Sequence, residues 1–343
     1  MKAFALVAPG NFGWAEVPDD PAPGAGQVVV RPVACGICAS DVHYWLHGRI
    51  GDQVITSYPF VLGHECAGVV VAVGDGVRSV RPGQRVAVEP GITCGQCAPC
   101  KEGRENICPN VKFLATPPWH GALRDTILTS ERNVEPIPDS LSFEAAAVCE
   151  PFGVGIHATR LAGVGPADTV AVFGAGSIGL STAVAARCRG ARRVIIAEPV
   201  RERRALTESM GFEAIDIDAD PVKQIRDMTG GGVNVSFEAA GDPQAMNWAV
   251  TAARLGGKAV IIGIPVEDTV PFDIHRMRRS ELALFNCRRS NRTLAEAVRL
   301  IAGPAADLHR IATHRFPVAE AEAAFDMVSK RAAGVVKAML LLE

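Results

Sequence analysis

The stretch "DTVAVFGAGSIGLSTAVAARCRGARRVIIAE", residues 168–198, decides the fold. It opens as a Val-rich strand, turns on glycines, runs through an Ala-rich helical segment and ends in a second strand. Gly174, Gly176 and Gly179 are spaced as G-x-G-x-x-G, with Ser177 and Ile178 between the last two. Alone the pattern is weak, because small residues crowd many turns. Following a strand and opening a helix, it reads as a dinucleotide turn: the glycines admit a pyrophosphate to the helix N-terminus. Glu198 closes the next strand 19 residues after Gly179, where an acid accepts ribose hydroxyls. Its carboxylate repels a 2′-phosphate, so NAD is expected rather than NADP. Arg201, Arg203 and Arg204 follow closely and pull the other way. Arg201 and Arg204 are read as a solvated helix face.

Working outward, "VNVSFEAAG", "AMNWAVTAARLGGKAVIIGI" and "ELALFN" continue the alternation of strand and helix, which predicts a parallel sheet wrapped by helices. Upstream the texture differs. "QVVVRPVACGIC", "AGVVVAVGDGV" and "GQRVAVEPG" are short Val-rich runs closed by Gly or Pro, the mark of a β-rich domain. The segment 141–163 is Ala-rich and helical, and opens on a Ser-containing capping cue. After residue 290, "RTLAEAVRLIAG" and "VAEAEAAFDMVSK" are amphipathic helices, and "GVVKAMLLLE" is a final strand. At 343 residues the chain is long for one core. The expected division is a β-rich domain at 1–148 and 286–343 flanking a doubly wound α/β insert at 149–285.

A net charge of −2 excludes an electrostatic pull toward nucleic acid or membrane. No apolar run approaches the roughly 20 residues that span a bilayer, and "MKAFALVAPGNFGW" lacks a signal-peptide core. A cytoplasmic location is expected. With no export signal, the ten cysteines are read as metal ligands or buried thiols, not disulfides.

Four of them cluster. Cys94, Cys97, Cys100 and Cys108 follow C-x2-C-x2-C-x7-C, and four thiolates from one loop close a tetrahedral zinc with no open position. An iron–sulfur cluster also takes four thiolates, but the last gap is longer than its bacterial pattern and no second cysteine set exists. A second constellation mixes donor types. "GICASDVHYWLHGRIGD" and "VLGHECAGVVVAVG" offer Cys38, His64 and Glu65. Three mixed protein ligands beside an open position describe a catalytic zinc, one that makes an alcohol proton easier to remove. Glu150, in "CEPFGVGIH", stands ready for the zinc or its water. Spacing alone does not choose Cys38 over Cys35.

Taken together, "GHECAGVVVAVG", the four-cysteine loop and "GAGSIG" resemble the zinc-dependent medium-chain alcohol dehydrogenases over essentially the whole chain. "GICASDVHYWLHGRIGD", "VLGHE", "ATPP" and "EPFGVGIHA" are similar to the sorbitol/xylitol (polyol) dehydrogenase branch. The resemblance implies a GroES-like catalytic domain plus a Rossmann domain, one catalytic and one structural zinc per chain, NAD, and a homo-oligomer, tetramer or dimer. It implies Cys38, His64 and Glu65 as catalytic ligands, with Glu150 near the zinc-bound water, and leaves Cys35 a bystander. It assigns Ser40 and His43 to a proton relay, and Tyr44, Phe113, Thr116 and Glu150 to a polyol pocket. Arg203, Gly263 and Phe285 join the glycine turn and Glu198 as cofactor positions. Two departures stand out. The structural cysteines, largely absent from animal sorbitol dehydrogenases, are complete here, and an Arg-Tyr pair of that branch is replaced by Asn286 and Cys287.

The implied activity is oxidation of a secondary alcohol of a polyol to a ketose. A sugar-acid (aldonate) dehydrogenase is the rival, suggested by Arg276, Arg278, Arg279, Arg288, Arg289 and Arg292 and by the changed "FNC". A threonine-dehydrogenase-like activity fits "HYWLHGRIGD" less well. A catalytically silent NAD-binding protein is opposed by the intact set of candidate ligands and relay residues.

Overall fold

Residues 169–286 form a six-stranded sheet in the computed structural model, which describes residues 1–303 and 306–342. Its spatial order is Glu213–Ile215, Arg193–Ala197, Thr169–Phe173, Val233–Glu238, Ala253–Ile261 and Ala283–Asn286. Every neighbouring pair is parallel. The order reverses between Thr169–Phe173 and Val233–Glu238, so the strand ends there form the switch point at which doubly wound sheets bind ligands. Thr169–Phe173 is buried along its whole length, which is why it reads as a continuous apolar run rather than an alternating one. The first four crossovers are the helices Ser177–Cys188, Arg201–Ser209, Pro221–Thr229 and Pro243–Ala252. Asp220 and Asp242 cap the last two, each carboxylate accepting from two backbone N–H groups of the first turn, and each is followed by Pro at the first helical position.

The β-rich part is a seven-stranded sheet. Val134–Pro136, Arg85–Val88, Glu65–Val73, Gln27–Gly36, Lys337–Leu341 and Ala312–Pro317 lie in that order, and Ile127–Ser130 also pairs with Gln27–Gly36. Only Ala312–Pro317 with Lys337–Leu341 is parallel. Val28 and Val30 turn inward while Val29 and Arg31 face out, the period of two expected of a half-buried strand. Phe325, 1% exposed, packs against Phe12 and Trp45 at ring separations of 4.8 and 5.8 Å. Its burial contributes about 2–3 kcal/mol. Ser142 Oγ accepts from Ala145 N–H at 3.2 Å and caps the helix Phe143–Ala147.

The chain divides into two compact units, Met1–Glu150 with most of the chain from Leu294 onward, and Pro151–Thr293. The return to the first unit therefore comes at Leu294 and not at the expected 286. The reason is local. Cys287 N–H donates to Ile261 O at 2.8 Å, so the chain stays tied to the parallel sheet beyond Asn286. The first crossing falls between Glu150 and Pro151, inside the helix Cys149–Ala162 rather than in a linker. Among the described residues, no helix is long and apolar enough to cross a membrane.

Candidate active site

In the first unit, strand Gln27–Gly36 runs out at Gly36, and two residues later Cys38 caps the helix Ala39–His47. His64 and Glu65 stand at the head of the antiparallel neighbour, where the register sets Gly36 opposite Glu65. That pairing unites residues far apart in sequence. One sulfur of Cys38, one ring nitrogen of His64 and one carboxylate oxygen of Glu65 lie within 4.8 Å of one another. Donors of a tetrahedral zinc stand about 3.3–3.8 Å apart, given Zn–S near 2.3 Å and Zn–N and Zn–O near 2.0–2.2 Å. The donor set fits such an ion.

Asp41, which sequence reasoning passed over, organises this corner. Its Oδ2 accepts from Cys38 N–H at 3.1 Å, and its Oδ1 accepts from Gly63 N–H at 3.2 Å. Oδ1 also lies 3.4 Å from His64 Nδ1, an outer partner of the kind that fixes a ligand ring. Burial alone would lower the His64 imidazole, but Asp41 and Cys38 outweigh it and hold the ring well above its usual range. Negative donors around a buried ring favour a cation. Cys35, the other candidate thiol, is buried, and its Sγ–H points at Gly36 O; burial and the nearby Cys66 push it well above the thiol range.

Glu150, 7% exposed, joins the same surroundings. Burial pushes its carboxyl up to about 8, with Glu65 and Glu89 adding to the rise against the pull of His64 and Lys337. The buried ring of Phe113 lies 5.5 Å from the His64 ring. Thr116 follows it in a turn, donating its N–H to Phe113 O at 3.1 Å. Tyr44 is buried on the helix Ala39–His47, 6.5 Å from Phe60 between ring centres. Ser40 and His43 share that helix. Burial first, and then the charge of His47, lower the His43 pKa.

In the 94–108 loop, the sulfurs of Cys94, Cys97, Cys100 and Cys108 lie within 4.8 Å of one another. Cys97–Cys108 is 3.8 Å and Cys94–Cys108 is 3.6 Å. The edge of a zinc tetrathiolate is about 3.8 Å, so this set also fits. Backbone N–H groups of Gln96 and Cys97 draw the Cys94 thiol down to about 6, while the Cys97 thiol beside it goes up to about 12.

The dinucleotide turn lies in the second unit. Gly174 has φ +104, a conformation that L side chains rarely adopt, and a Cβ on Gly179 would collide with Gly174 O. Gly176 caps the helix Ser177–Cys188. Glu198 is 3% exposed; its Oε2 accepts from Ala175 N–H at 2.6 Å and its Oε1 from Val200 N–H at 3.0 Å. Each oxygen keeps a lone pair for a ribose hydroxyl. Arg203 is half-buried on the helix Arg201–Ser209. Arg204 is not on a solvated face: it pairs with Asp216 and donates to the carbonyls of Glu198 and Pro199. Gly263 donates to Glu238 Oε2 at 3.2 Å, and a Cβ there would meet Gly241 N. Phe285 sits in the edge strand opposite Val260.

A doubly wound unit with a dinucleotide turn, in one chain with a β-rich unit holding two metal-competent donor sets, defines a metal- and dinucleotide-dependent dehydrogenase. The chain matches the Alcohol dehydrogenase GroES-like domain over residues 24–139 and the Zinc-binding dehydrogenase family over residues 177–303. It is 39% identical over 303 residues to the sorbitol dehydrogenase of Bacillus subtilis, covering 88% of this chain and 86% of that one. It is 35% identical to the L-idonate 5-dehydrogenase of Vitis vinifera, covering 94% and 90%. A zinc-binding dehydrogenase from Sinorhizobium meliloti, solved bound to NADP, superposes with a TM-score of 0.88 at 32% identity, covering 99% and 98%. The chain belongs to the zinc-dependent alcohol dehydrogenase family, on the branch that holds the sorbitol dehydrogenases.

Proposed function

We propose that the protein oxidises a secondary alcohol of a neutral polyol, of the sorbitol or xylitol kind, to a ketose, passing the hydride to NAD. The observation that carries the substrate class is the charge around Cys38, His64 and Glu65. Asp41, Glu65, Glu89 and Glu150 are all acidic, and Lys337, the cation among them, is paired with Glu65. Carboxylates accept hydrogen bonds from hydroxyls, whereas an aldonate carboxylate brought here would be desolvated among like charges.

Cys38, His64 and Glu65, with Glu150 beside them, are the residues that would hold a catalytic zinc, which supplies the Lewis acidity that makes an alcohol proton removable. Cys94, Cys97, Cys100 and Cys108 would hold a second, structural zinc. Asp41 fixes the ring orientation of His64. Phe113 forms an apolar wall that excludes water beside that ring. Ser40 and His43 carry the alcohol proton away, His43 as a base that its lowered pKa keeps neutral at pH 7. Tyr44 and Thr116 complete the pocket. NAD supplies the hydride acceptor, held by the glycine turn, Glu198, Arg203, Gly263 and Phe285.

The protein is proposed to work in the cytoplasm, supported by its ten free cysteines. A homo-oligomer, tetramer or dimer, is supported by Leu255, Ile264, Val266 and Ile274, which are 53–77% exposed in the second unit. Comparing kcat/KM for xylitol and sorbitol with five- and six-carbon aldonates tests the substrate. The polyols should win; an aldonate turned over better than every polyol would replace this reading.

A further inference from the structure

Lys337 enters the active-site region from the last strand of the sheet, 272 residues from Glu65 in sequence. Its ammonium donates to Glu65 Oε1 at 2.8 Å, to Glu65 Oε2 at 2.6 Å and to Ile37 O at 3.0 Å. An ammonium has three N–H groups, so all are used and none is left for a substrate. Lys337 is 3% exposed and Glu65 1%. Gly36, opposite Glu65 in the ladder, makes the pose possible: a Cβ there would collide with Glu65 Oε2 and stand 3.2 Å from Lys337 Cδ. The carboxylate is thus seated over a bare backbone, with both oxygens facing a buried cation, while still within reach of Cys38 and His64.

We propose that Lys337 is a positioning residue that sets how firmly Glu65 holds the catalytic metal, keeping this ligand weak enough to give way to a substrate oxygen. The inference rests on the reading of Cys38, His64 and Glu65 as the ligands. Its physical basis is charge. A carboxylate whose two oxygens share an ammonium offers less negative potential to a metal ion. Among the described residues, Glu65 is the one of the three to which the Lys337 ammonium donates. Glu65 is therefore the ligand whose strength the protein has tuned.

The test uses the full-length chain with the 94–108 loop loaded. Catalytic-site affinity for zinc and cobalt(II) is measured by competition with a chromogenic chelator at alkaline pH, alongside the visible spectrum of the cobalt(II) form with and without polyol. Lys337→Met should bind the ion about tenfold tighter, and its spectrum should lose the response to polyol that the parent shows. Lys337→Arg, which keeps the charge, should behave as the parent. In Glu65→Gln, adding Lys337→Met should change affinity no further, because Lys337 acts through that carboxylate. If Lys337→Met does not fold, Lys337→Gln carries the same expectation. Unchanged affinity and spectrum with lower stability would make Lys337 a structural tie and overturn the proposal, as would weaker binding. A parent protein that takes up no ion beyond the four-cysteine loop would instead overturn the ligand reading beneath it.

Discussion

Asp41→Ala removes one side chain and disturbs three partners. Asp41 is 1% exposed and accepts from Cys38 N–H at 3.1 Å and Gly63 N–H at 3.2 Å, with His64 Nδ1 at 3.4 Å. The two backbone donors have no substitute acceptor in the hydrogen bonds they make. A buried donor left unmade costs about 1–3 kcal/mol, and relief of the carboxylate's own desolvation returns part of that. A net loss of about 3 kcal/mol follows, which for a unit of this size lowers its melting temperature by roughly 6–12 °C. His64 loses the partner that orients its ring, so catalytic-site metal affinity should fall about 10- to 100-fold. Asp41→Asn keeps one acceptor oxygen and should lie between. Calorimetry of the zinc-loaded protein reads the first effect and chelator competition the second. Asp41→Ala with unchanged melting and unchanged affinity would refute the reasoning, because the hydrogen bonds would then carry no energy.

Cys97→Ala should strip one metal per chain and lower the melting of the first unit while NAD binding persists, whereas Cys38→Ala should cut turnover more than about 100-fold with folding intact. Metal analysis with dye-monitored melting distinguishes the two, and a single zinc in fully loaded parent protein would contradict both. Glu198→Ala should erode discrimination against NADP by about tenfold, the loss of about 1.4 kcal/mol of repulsion of the 2′-phosphate. Glu198→Gln, retaining one acceptor for the Ala175 or Val200 N–H groups, separates that loss from collapse of the turn; equal use of both cofactors by the parent refutes the assignment. On the proposed role of His43 as a neutral base, kcat/KM for alcohol oxidation should be flat at neutral pH and fall only below the lowered His43 pKa. His47→Gln, which removes the nearby charge, should move that acid limb to higher pH. A limb that stays in place would remove His43 from the proton path.

What the chain revealed before folding followed the range of each signal. The parallel sheet was legible because its glycines, apolar runs and closing acid lie within one stretch, and the four-cysteine loop because its ligands span 94–108. Cys38 and His64 needed the resemblance to be joined, since only the register that sets Gly36 against Glu65 brings them together. Asp41 carried a local signal that could have found it: an acid three residues after the residue that caps a helix, the spacing of a capping box. Lys337 carried none, because nothing within its own strand points to Glu65. Arg204 looked solvated for the same reason, its partner Asp216 lying beyond the next strand. The return at Leu294 was misplaced because residues 286–293 carry no proline or glycine to punctuate them.

The charges at the active site explain why the protein tolerates so many carboxylates in one buried place. An unpaired buried charge costs several kcal/mol, and a set of like charges costs more. Burial, with the neighbouring acids adding to it, pushes the Glu150 carboxyl up to about 8, which lessens its own share of that repulsion. Asp41, Glu65 and Glu89 then stand against the positive charge of Lys337, which leaves the carboxylates in excess. A bound metal cation offsets that excess. The same balance favours a substrate that arrives as a neutral alcohol, since an anionic one would restore the imbalance the ion removes.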